Sequence, residues 1–222
     1  MCNNFEPINR TQSTWVKSYF GCELPAEDWR PETYPTYPAP FIYLDDGKPR
    51  CELAQFGLVP HWAADKRKFG LHTYNARSET VHEKPSYRNA WKERRFGLVL
   101  VNSFYEPNWE TGKAIRWRIK RADNQPAAIA SIWERIIDKS TGEILMSFSM
   151  LTINASGHEI MKHFHKPTDE KRSVVVLKDN DYWTWLNADI TLAQSMLVLA
   201  PDGLLTSHTA PRDIRDSKLN SF

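Results

Sequence analysis

The sequence predicts an α+β fold in which a mostly antiparallel sheet curls into a barrel-like core with flanking helices. Many short apolar segments have the spacing of strands, few have the spacing of helices, and the two kinds do not alternate strictly. Hydrophobic residues make up 41% of the 222 residues and charged residues 25%, which is typical of a globular protein with a real core. We find no repeat and no second domain boundary, so we expect one domain over residues 1–211 and a loose tail over residues 212–222.

The first half of the chain combines short apolar segments with long irregular stretches. Phe5 and Ile8 indicate a short strand or an extended arm, and Thr11 or Ser13 can cap the helix that follows. Five prolines then interrupt the chain, and Asp45-Asp46-Gly47 has the composition of a hairpin turn. We expect an arm over residues 1–10, a helix over 11–22, a loop over 25–40, hairpin strands over 41–44 and 51–56, and an irregular basic stretch over 63–74.

Strand patterns dominate the second half of the chain. The apolar run over residues 96–101 predicts a buried strand that leaves Glu106 just past its end. Residues 115–120 alternate between apolar and basic side chains, which predicts a half-buried strand with a basic outer face. A turn that contains Thr141-Gly142 is expected to join two later strands. The remaining predictions are strands over 127–133, 145–153 and 174–177, and helices over 86–93, 156–163, 179–185 and 192–197.

Composition argues against membrane, secreted and metal-binding classes of protein. No apolar run approaches the roughly 20 residues of a membrane span, and the N-terminus lacks the basic and apolar regions of a signal peptide. We therefore expect a cytoplasmic protein without a membrane partner, associated with the nucleoid if it is bacterial. Three widely spaced cysteines, Cys2, Cys22 and Cys51, indicate neither a disulfide framework nor a zinc site. We expect no metal and no organic cofactor.

The net charge of +2 is unevenly distributed along the chain. Residues 61–121 hold 14 Lys and Arg against 6 Asp and Glu, whereas the remainder holds 15 against 21. A basic middle of this kind is either a solvated face or a phosphate-binding surface. Charge alone leaves both interpretations open.

A cysteine at position 2 becomes chemically distinctive once Met1 is removed. The mature chain then begins with an α-amine and a thiol on adjacent carbons, with pKa values near 8 and about 8.5 in the absence of other influences. Such a 1,2-aminothiol condenses with an aldehyde, because the amine forms a Schiff base and the sulfur closes a thiazolidine ring. An ordinary residue in a frayed terminus is the alternative interpretation of Cys2 on position alone.

Four groups of polar side chains accompany this terminus. Asn75 and Arg77 share one face if their segment is extended, and the Arg77 guanidinium has the geometry to bind a phosphate. Glu106 follows a buried run, where apolar walls can raise a carboxyl pKa towards acid–base use. His163 and His165 supply imidazoles that titrate near neutral pH. Taken singly, each of these residues is more often structural or solvated than catalytic.

Short motifs in a defined order carry a resemblance to a known family. They are Met1-Cys2, Gly57-Leu58-Val59-Pro60-His61-Trp62, Asn75-Ala76-Arg77-Ser78-Glu79-Thr80, Phe104-Tyr105-Glu106, Leu151-Thr152 with Asn154-Ala155, and His165 ahead of Glu170-Lys171-Arg172 and the apolar residues 174–177. Over roughly residues 1–180 the chain resembles the SRAP family, the SOS-response-associated peptidase-like proteins that process abasic sites in DNA. The N-A-R-x-E-T motif together with Cys2 is quite specific, whereas the motif around Trp62 alone is weak.

The resemblance implies a function and a role for each matching residue. Family members capture the ring-opened aldehyde of an abasic site in single-stranded DNA through Cys2, as a stable thiazolidine, so removal of Met1 becomes a requirement. Asn75 would hold the adduct near the deoxyribose, and Arg77 would bind a flanking phosphate. Glu106 would move protons between amine, thiol and sugar. His165, preferred over His163 because it directly precedes Lys166-Pro167, would help to open the sugar ring and assist reversal or strand cleavage by β-elimination.

Aromatic and basic residues of the middle segment are the expected DNA-binding surface. Trp62 can stack on bases beside the lesion, and cationic side chains can follow the DNA backbone. The cationic candidates are Lys66, Arg67, Lys68, Arg94, Arg95 and Arg116.

The chain departs from the family pattern directly after the nucleophile. The family begins M-C-G-R, whereas this chain has Asn3 and Asn4, so an arginine and its expected phosphate contact are missing. The segment around His165 is also longer than the family's H-x-R-M-P. A binding affinity or rate below the family norm follows as an expectation.

Two other functions remain open at this stage. One is a thiol peptidase that uses Cys2 and His165 and whose substrate is its own Met1. The other is a non-catalytic module that binds single-stranded DNA through the basic middle and its aromatic residues. We expect a monomer, with DNA that contains abasic sites as the partner and replication-fork proteins as a further candidate class.

Overall fold

The computed structural model describes residues 2–137 and 142–212 of the chain. Met1, Thr141 of the predicted turn and the tail from residue 213 lie outside the described residues. The strands are β1 Phe5–Pro7, β2 Pro38–Asp45, β3 Lys48–Phe56, β4 Asn75–Arg77, β5 Phe96–Asn108, β6 Ile115–Arg121, β7 Ala127–Ile137, β8 Ile144–Asn154, β9 Arg172–Val174, β10 Val176–Leu177 and β11 Leu205–Thr209. The helices are α1 Ser13–Phe20, α2 Lys66–Gly70, α3 Arg88–Lys92, α4 Tyr182–Leu186 and α5 Ile190–Ser195, with 3₁₀ turns at Arg10–Gln12, Met161–His163 and Asp179–Asp181.

Five strands close into a barrel. Strands β7, β8, β3, β2 and β5 pair in that order, and pairing of β5 with β7 completes the ring. Neighbours in the ring are antiparallel except β3 and β8, which run parallel where Gln55 pairs with Ser147. The remaining strands extend the edges of this ring, and short helices lie on its outside. The predicted α+β class with a curled, mostly antiparallel sheet is therefore confirmed.

Strand β5 is the longest strand and is longer than the sequence predicts. It pairs with β1, β2, β6 and β7 over successive parts of its length. The pairing with β6 continues beyond Asn102, with Glu106 opposite Trp117 and Asn108 opposite Ile115. Glu106 consequently lies inside the strand and not past its end, because β6 satisfies the backbone of residues that lack an apolar pattern.

The hairpin and most predicted strands are present, with shifts at their ends. Asp46 and Gly47 both have positive φ values, 48° and 74°, as the tight turn between β2 and β3 requires. The apolar run 174–177 divides into β9 and β10 at Val175, whose N–H donates to Leu151 of β8. The sequence does not predict helix α2, which forms within a stretch predicted to be irregular. It does not predict strand β11 either.

The helix predicted over residues 156–163 does not form beyond a 3₁₀ turn at its end. The ring Nδ1 of His158 accepts the backbone N–H groups of Ile160 and Met161 at 3.0 and 3.2 Å. A side chain therefore satisfies donors that would otherwise bond to helical carbonyls, and this competition is a known reason why local patterns fail.

The barrel interior is filled by aromatic rings. Phe148 stacks on Phe41 and Phe56 with ring centroids 4.9 and 5.3 Å apart, and Phe5 meets Phe56 edge to face at 5.2 Å. Cys2 belongs to this interior cluster and is 1% exposed. A second cluster packs between the outer face of the sheet and the helices, around Trp185 and Trp91. The N-terminal residue of interest is thus anchored in the core and is not a frayed end.

Strand β5 packs closely on β2 at Gly97, and a substitution there can test this packing. A Cβ atom at this position would lie 2.3 Å from Cζ of Phe41 and 2.7 Å from the carbonyl oxygen of Ile42. We expect Gly97→Ala to cost about 3 kcal/mol of unfolding free energy, and to lower Tm by about 10 °C, because the barrel wall must shift. Gly157→Ala is the control, since its Cβ would meet nothing within 4 Å. Equal Tm values for the two variants in thermal unfolding would contradict the packing argument.

Candidate active site around Cys2

Cys2 is held between β4 and the far end of β5. Its carbonyl oxygen accepts a hydrogen bond from Nδ2 of Asn75 at 2.7 Å. Its thiol donates to the carbonyl oxygen of Asn4 at 3.5 Å, and that same oxygen accepts the N–H of Tyr105 at 3.0 Å. Backbone bonds on one side and an amide side chain on the other therefore fix the position of Cys2.

Burial sets the protonation of Glu106 and Cys2. Glu106 is 3% exposed, and burial raises the pKa of its carboxyl group to about 7. Burial and, to a smaller extent, the negative charge of Glu106 together raise the pKa of the Cys2 thiol to about 12. At neutral pH the thiol is therefore protonated, whereas Glu106 exists in both forms and can accept or donate a proton.

His165 lies behind Glu106 in an unusual backbone conformation. Its Nδ1 is 3.5 Å from Oε2 of Glu106, its N–H donates to the carbonyl of Pro107 at 2.9 Å, and its φ is +65°. A left-handed conformation is uncommon for a residue other than glycine, and such strain persists only where the surroundings impose it. The side chain is 7% exposed, and burial lowers the pKa of the imidazole to about 4.

The hydrogen-bond partners of His165 determine its tautomer. Nε2 lies 3.1 Å from the carbonyl oxygen of Arg172, which can only accept, so Nε2 carries the proton. Nδ1 then presents a lone pair towards Glu106. A protonated Glu106 can share its proton with Nδ1, and the pair holds that proton inside the protein.

Asn75 and Arg77 lie on β4, which pairs in parallel with β8. Asn75 is 8% exposed, and its Oδ1 has no hydrogen-bond partner among the described residues. The Arg77 side chain is half exposed, and its Nη1 contacts Glu170 at 2.7 Å. Both residues line a hollow of about 400 Å³, walled in part by Phe69 and Tyr87. This arrangement offers an unused acceptor and a cation next to Cys2.

Arg172, on β9, connects the segment after β4 with β8 and His165, and only its own side of the ion pairs is buried. Its guanidinium, 2% exposed, binds both carboxylate oxygens of Glu79 at 3.0 and 2.9 Å and also contacts Glu170 at 2.8 Å. It donates to the carbonyl oxygen of Thr152 at 2.7 Å. Hydrogen bonds from Asn154 and Arg172 lower the pKa of Glu170 to about 2. Arg172 belongs to one of the sequence motifs. The one signal for its structural role in the sequence is that a charged residue stands next to an apolar strand.

The structure brings part of the expected DNA-binding surface to the same hollow. Trp62 is 48% exposed and packs edge to face against Phe69, with ring centroids 5.0 Å apart. Lys66, Arg67 and Lys68 form helix α2, which Asp65 caps by accepting the N–H of Lys68. The aromatic pair and this basic helix therefore lie at the rim of the hollow that Asn75 and Arg77 line.

The other basic candidates lie elsewhere or are paired. Arg94 and Arg95 precede β5 and lie 12 and 11 residues before Glu106, which is at least about 36 Å along an extended strand. Arg95 also pairs with Glu93 and Glu134. Arg116 is close to Glu106 but is held by several intramolecular partners. The sequence predicts one DNA-binding surface for all six basic candidates. The structure separates Arg94, Arg95 and Arg116 from Lys66, Arg67 and Lys68 of helix α2.

The structure also distinguishes the two histidines. His163 is 46% exposed in its side chain, and its Nδ1 contacts Glu110 at 2.6 Å on the surface. His165 alone of the two lies beside Glu106. Its predicted role in the site therefore has the required geometry, whereas that of His163 does not.

No cluster of three or more His, Cys, Asp or Glu side chains suited to a metal ion occurs within residues 2–137 and 142–212. Within the same ranges, no helix is both long enough and apolar enough to span a membrane.

The family described as SOS response associated peptidase (SRAP) matches residues 1–216. Two proteins of Bacillus subtilis (strain 168) are similar over most of the chain, and each is 31% identical. The abasic site processing protein YoqW matches over 204 residues, 89% of this chain and 86% of its own length. The abasic site processing protein YobE matches over 205 residues, 89% of each chain.

Solved structures share the fold. A protein of Bordetella bronchiseptica superimposes with a TM-score of 0.85 at 30% identity, over 95% of this chain and 100% of that chain. A protein of Bacteroides thetaiotaomicron gives 0.82 at 20% identity, over 97% and 94% of the two chains. Because the family match covers almost the whole chain, and because Cys2, Asn75, Glu106 and His165 come together around one buried thiol, the chain belongs to the SRAP family.

Proposed function

We propose that this protein processes abasic sites in single-stranded DNA by covalent capture through Cys2, with some lyase activity. The observation that carries the proposal is the placement of an N-terminal aminothiol residue against a buried, titratable Glu106. The names of the Bacillus relatives support an abasic site as the substrate. Neither the carboxyl pKa near 7 nor the strained His165 is needed by a protein that only binds DNA.

The chemistry follows from the protonation states. An abasic deoxyribose is mostly a closed hemiacetal, so a proton must move from its hydroxyl to the ring oxygen before the aldehyde is available. Glu106 in its acid form can protonate the ring oxygen, and Glu106 with His165 can take up the hydroxyl proton. The α-amine of Cys2 then adds to the aldehyde carbon, and loss of water with uptake of one proton from the acid form of Glu106 leaves a protonated Schiff base and the Glu106 carboxylate.

Ring closure uses the thiol as a neutral group. Sulfur adds to the Schiff-base carbon, its proton passes to the Glu106 carboxylate, and the nitrogen retains one hydrogen in the thiazolidine. One C–N bond and one C–S bond form, and the aldehyde oxygen leaves as water. Transfer to Glu106 is required because the thiol, with a pKa raised to about 12, does not ionise on its own.

The remaining residues position the DNA. Arg77 can exchange its contact with Glu170 for a phosphate that flanks the abasic sugar. Oδ1 of Asn75, which lacks a partner among the described residues, can accept a hydrogen bond from the adduct. Trp62 is exposed and can stack on a neighbouring base.

The first prediction separates capture from Schiff-base formation. On single-stranded DNA with an enzymatically made abasic site, we expect the wild-type protein to give an adduct that survives SDS. Cys2→Ala keeps a small residue behind Met1, and hence the α-amine, but loses the sulfur. We expect no SDS-stable adduct from it, whereas borohydride still traps a Schiff base and strand cleavage persists.

An N-terminal extension that hides the amine is the control, and both kinds of adduct should disappear with it. The absence of any SDS-stable adduct from the wild-type protein, with Met1 removal verified by mass spectrometry, would refute covalent capture. Salt-sensitive DNA binding without an adduct would instead support the non-catalytic alternative.

The second prediction tests the protonation of Glu106 through stability. Its folded pKa of about 7 lies above the unfolded value of about 4.3, so its stabilising effect is complete below pH 4.3 and is lost as pH rises through 7. Glu106→Gln removes this loss. We expect Tm of the variant, relative to wild type, to rise by about 6 °C between pH 5 and pH 8, corresponding to about 2 kcal/mol.

Glu170→Gln is the matched control with the opposite sign. Because the folded pKa of Glu170 is lowered to about 2, its contribution is present above pH 4.3 and is lost as pH falls towards 2. Its Tm difference from wild type should therefore not rise between pH 5 and pH 8. A pH-independent difference for Glu106→Gln, measured by thermal unfolding, would show that the carboxyl group does not titrate near 7.

A further inference from the structure

A second hollow shares no lining residue with the hollow that Arg77 lines. It has a volume of about 420 Å³, and Glu106 forms part of its wall. Asn4, Tyr105, Arg116 and Arg212 also line it. The hollow therefore combines two cations with the proposed acid–base group, at the position where the chain departs from the family pattern.

Arg116, on β6, connects the N-terminal segment to the strand that carries Glu106. Its Nη2 donates to Oδ1 of Asn4 at 2.8 Å and to Oε1 of Glu32 at 2.9 Å, and its Nη1 donates to the carbonyl of Ala210 at 3.3 Å. The guanidinium also lies 3.3 Å from the ring centroid of Tyr105. These contacts use three of its five N–H groups, and the remaining two have no partner among the described residues.

Glu32 is the common acceptor of this cluster. It receives hydrogen bonds from Arg116, from Tyr34 at 2.7 Å and from Nδ2 of Asn4 at 3.3 Å. Arg212 reaches the same carboxylate at 3.4 Å, and its guanidinium lies 5.2 Å from the Tyr34 ring centroid. Four donors thus converge on one partly exposed carboxylate, as they would on a phosphate group.

We propose that this hollow is a phosphate subsite, built on Arg116 and Arg212, for the DNA phosphate on the Glu106 side of the abasic sugar. The proposal rests on the proposed function, because it names the second backbone contact of the same substrate. Glu32 holds the two guanidiniums in place in the free protein and competes with the phosphate for their N–H groups.

The position of the hollow fits this assignment. The Cys2 carbonyl contacts Asn75, which lines the first hollow, whereas the Cys2 thiol lies under the influence of Glu106, which lines the second. A sugar bound at Cys2 has one phosphate on each side along the strand. Arg77 is available to one phosphate, and the second hollow supplies cations for the other. These cations are present although this chain has the neutral Asn4 where the family pattern has an arginine.

Arg118 provides a matched comparison. It lies two residues along β6 from Arg116 and is likewise paired with a glutamate, Glu6, and with Ser103. It does not line the hollow. The two arginines therefore differ in access to the proposed phosphate and not in their general surroundings.

The test measures equilibrium binding of single-stranded DNA that carries a tetrahydrofuran abasic analogue, which cannot react with Cys2. Three probes place the analogue internally, at the 5′ end and at the 3′ end, so that the terminal probes each lack one flanking phosphate. On the internal probe we expect Arg212→Ala to reduce the slope of log K against log salt by about 0.7, the value for one phosphate on a single strand. Arg118→Ala should leave this slope unchanged.

The terminal probes identify which phosphate is bound. The effect of Arg212→Ala should vanish on one terminal probe, and the effect of Arg77→Ala should vanish on the other. Arg116→Lys, which keeps the charge but loses the planar fork, should weaken binding of the same probes as Arg212→Ala. Glu32→Gln should raise affinity severalfold, and Glu23→Gln, which removes a carboxylate paired with Lys17 elsewhere, should not.

Equal effects of Arg212→Ala on all three probes, or a slope change for Arg118→Ala of the same size, would overturn the subsite. Lower affinity for Glu32→Gln with an unchanged Tm would do the same. These outcomes are separable from failure of covalent capture, because the analogue binds without reaction and the wild-type adduct with a natural abasic site is scored independently.

Discussion

Strand β5 controls the geometry of the site because it pairs with four other strands. Its pairing with β2 and β7 closes the barrel, its pairing with β1 places the segment that follows Cys2, and its pairing with β6 brings Arg116 beside Asn4. A slip of one residue in any of these registers would turn Glu106 to the opposite face of the sheet. Cys2 and Glu106, the proposed nucleophile and acid–base group, are thus positioned by the same backbone ladder that forms the core.

The site is built from charged and polar groups that are costly to bury. Arg172 is almost fully buried and loses its hydration, and its bonds to Glu79, Glu170 and Thr152 offset that loss. The carbonyl of the same residue fixes the tautomer of His165. These bonds hold the His165 ring with its Nδ1 towards Glu106, 3.5 Å from Oε2.

Local patterns in the sequence predict much of the fold and some of the site. The β2–β3 hairpin follows from its turn residues, and the apolar run from Phe96 predicts the start of β5. The end of β5 could not be predicted, because its last residues are ordered by β6, which lies later in the chain. Positive charge alone places Arg94 and Arg95 in one group with the basic residues of helix α2. The structure separates them, because the length of β5 lies between these two arginines and Glu106.

Side-chain partners were the least predictable part of the site. Motif spacing cannot show which of His163 and His165 lies beside Glu106; in the structure it is His165, whose backbone N–H bonds to the Pro107 carbonyl. The cluster around Glu32 brings together residues as far apart in the sequence as Asn4 and Arg212. No spacing in the sequence predicts such a contact. Motifs could therefore point to Cys2 and the candidate residues around it, but not to the contacts that hold them.

The protonation of Cys2 also distinguishes capture from peptidase chemistry. A cysteine peptidase needs a thiolate, usually obtained by pairing with a charged histidine that lowers the thiol pKa. Here burial and Glu106 raise the pKa of the Cys2 thiol, and His165 is neutral at pH 7 and faces Glu106. The group that is left to attack first is then the α-amine, which needs no thiolate for its reaction.

That order of reactivity suits an aldehyde, which an amine attacks first and a neutral thiol can attack afterwards with Glu106 as the base. It suits an amide bond poorly, since cleavage would have to begin with the thiol. A buried carboxyl group is also not expected in a module that only binds DNA, because keeping Glu106 in the core lowers the stability of the folded protein at neutral pH. The physical cost of the site therefore favours chemistry at the N-terminal aminothiol over both alternatives.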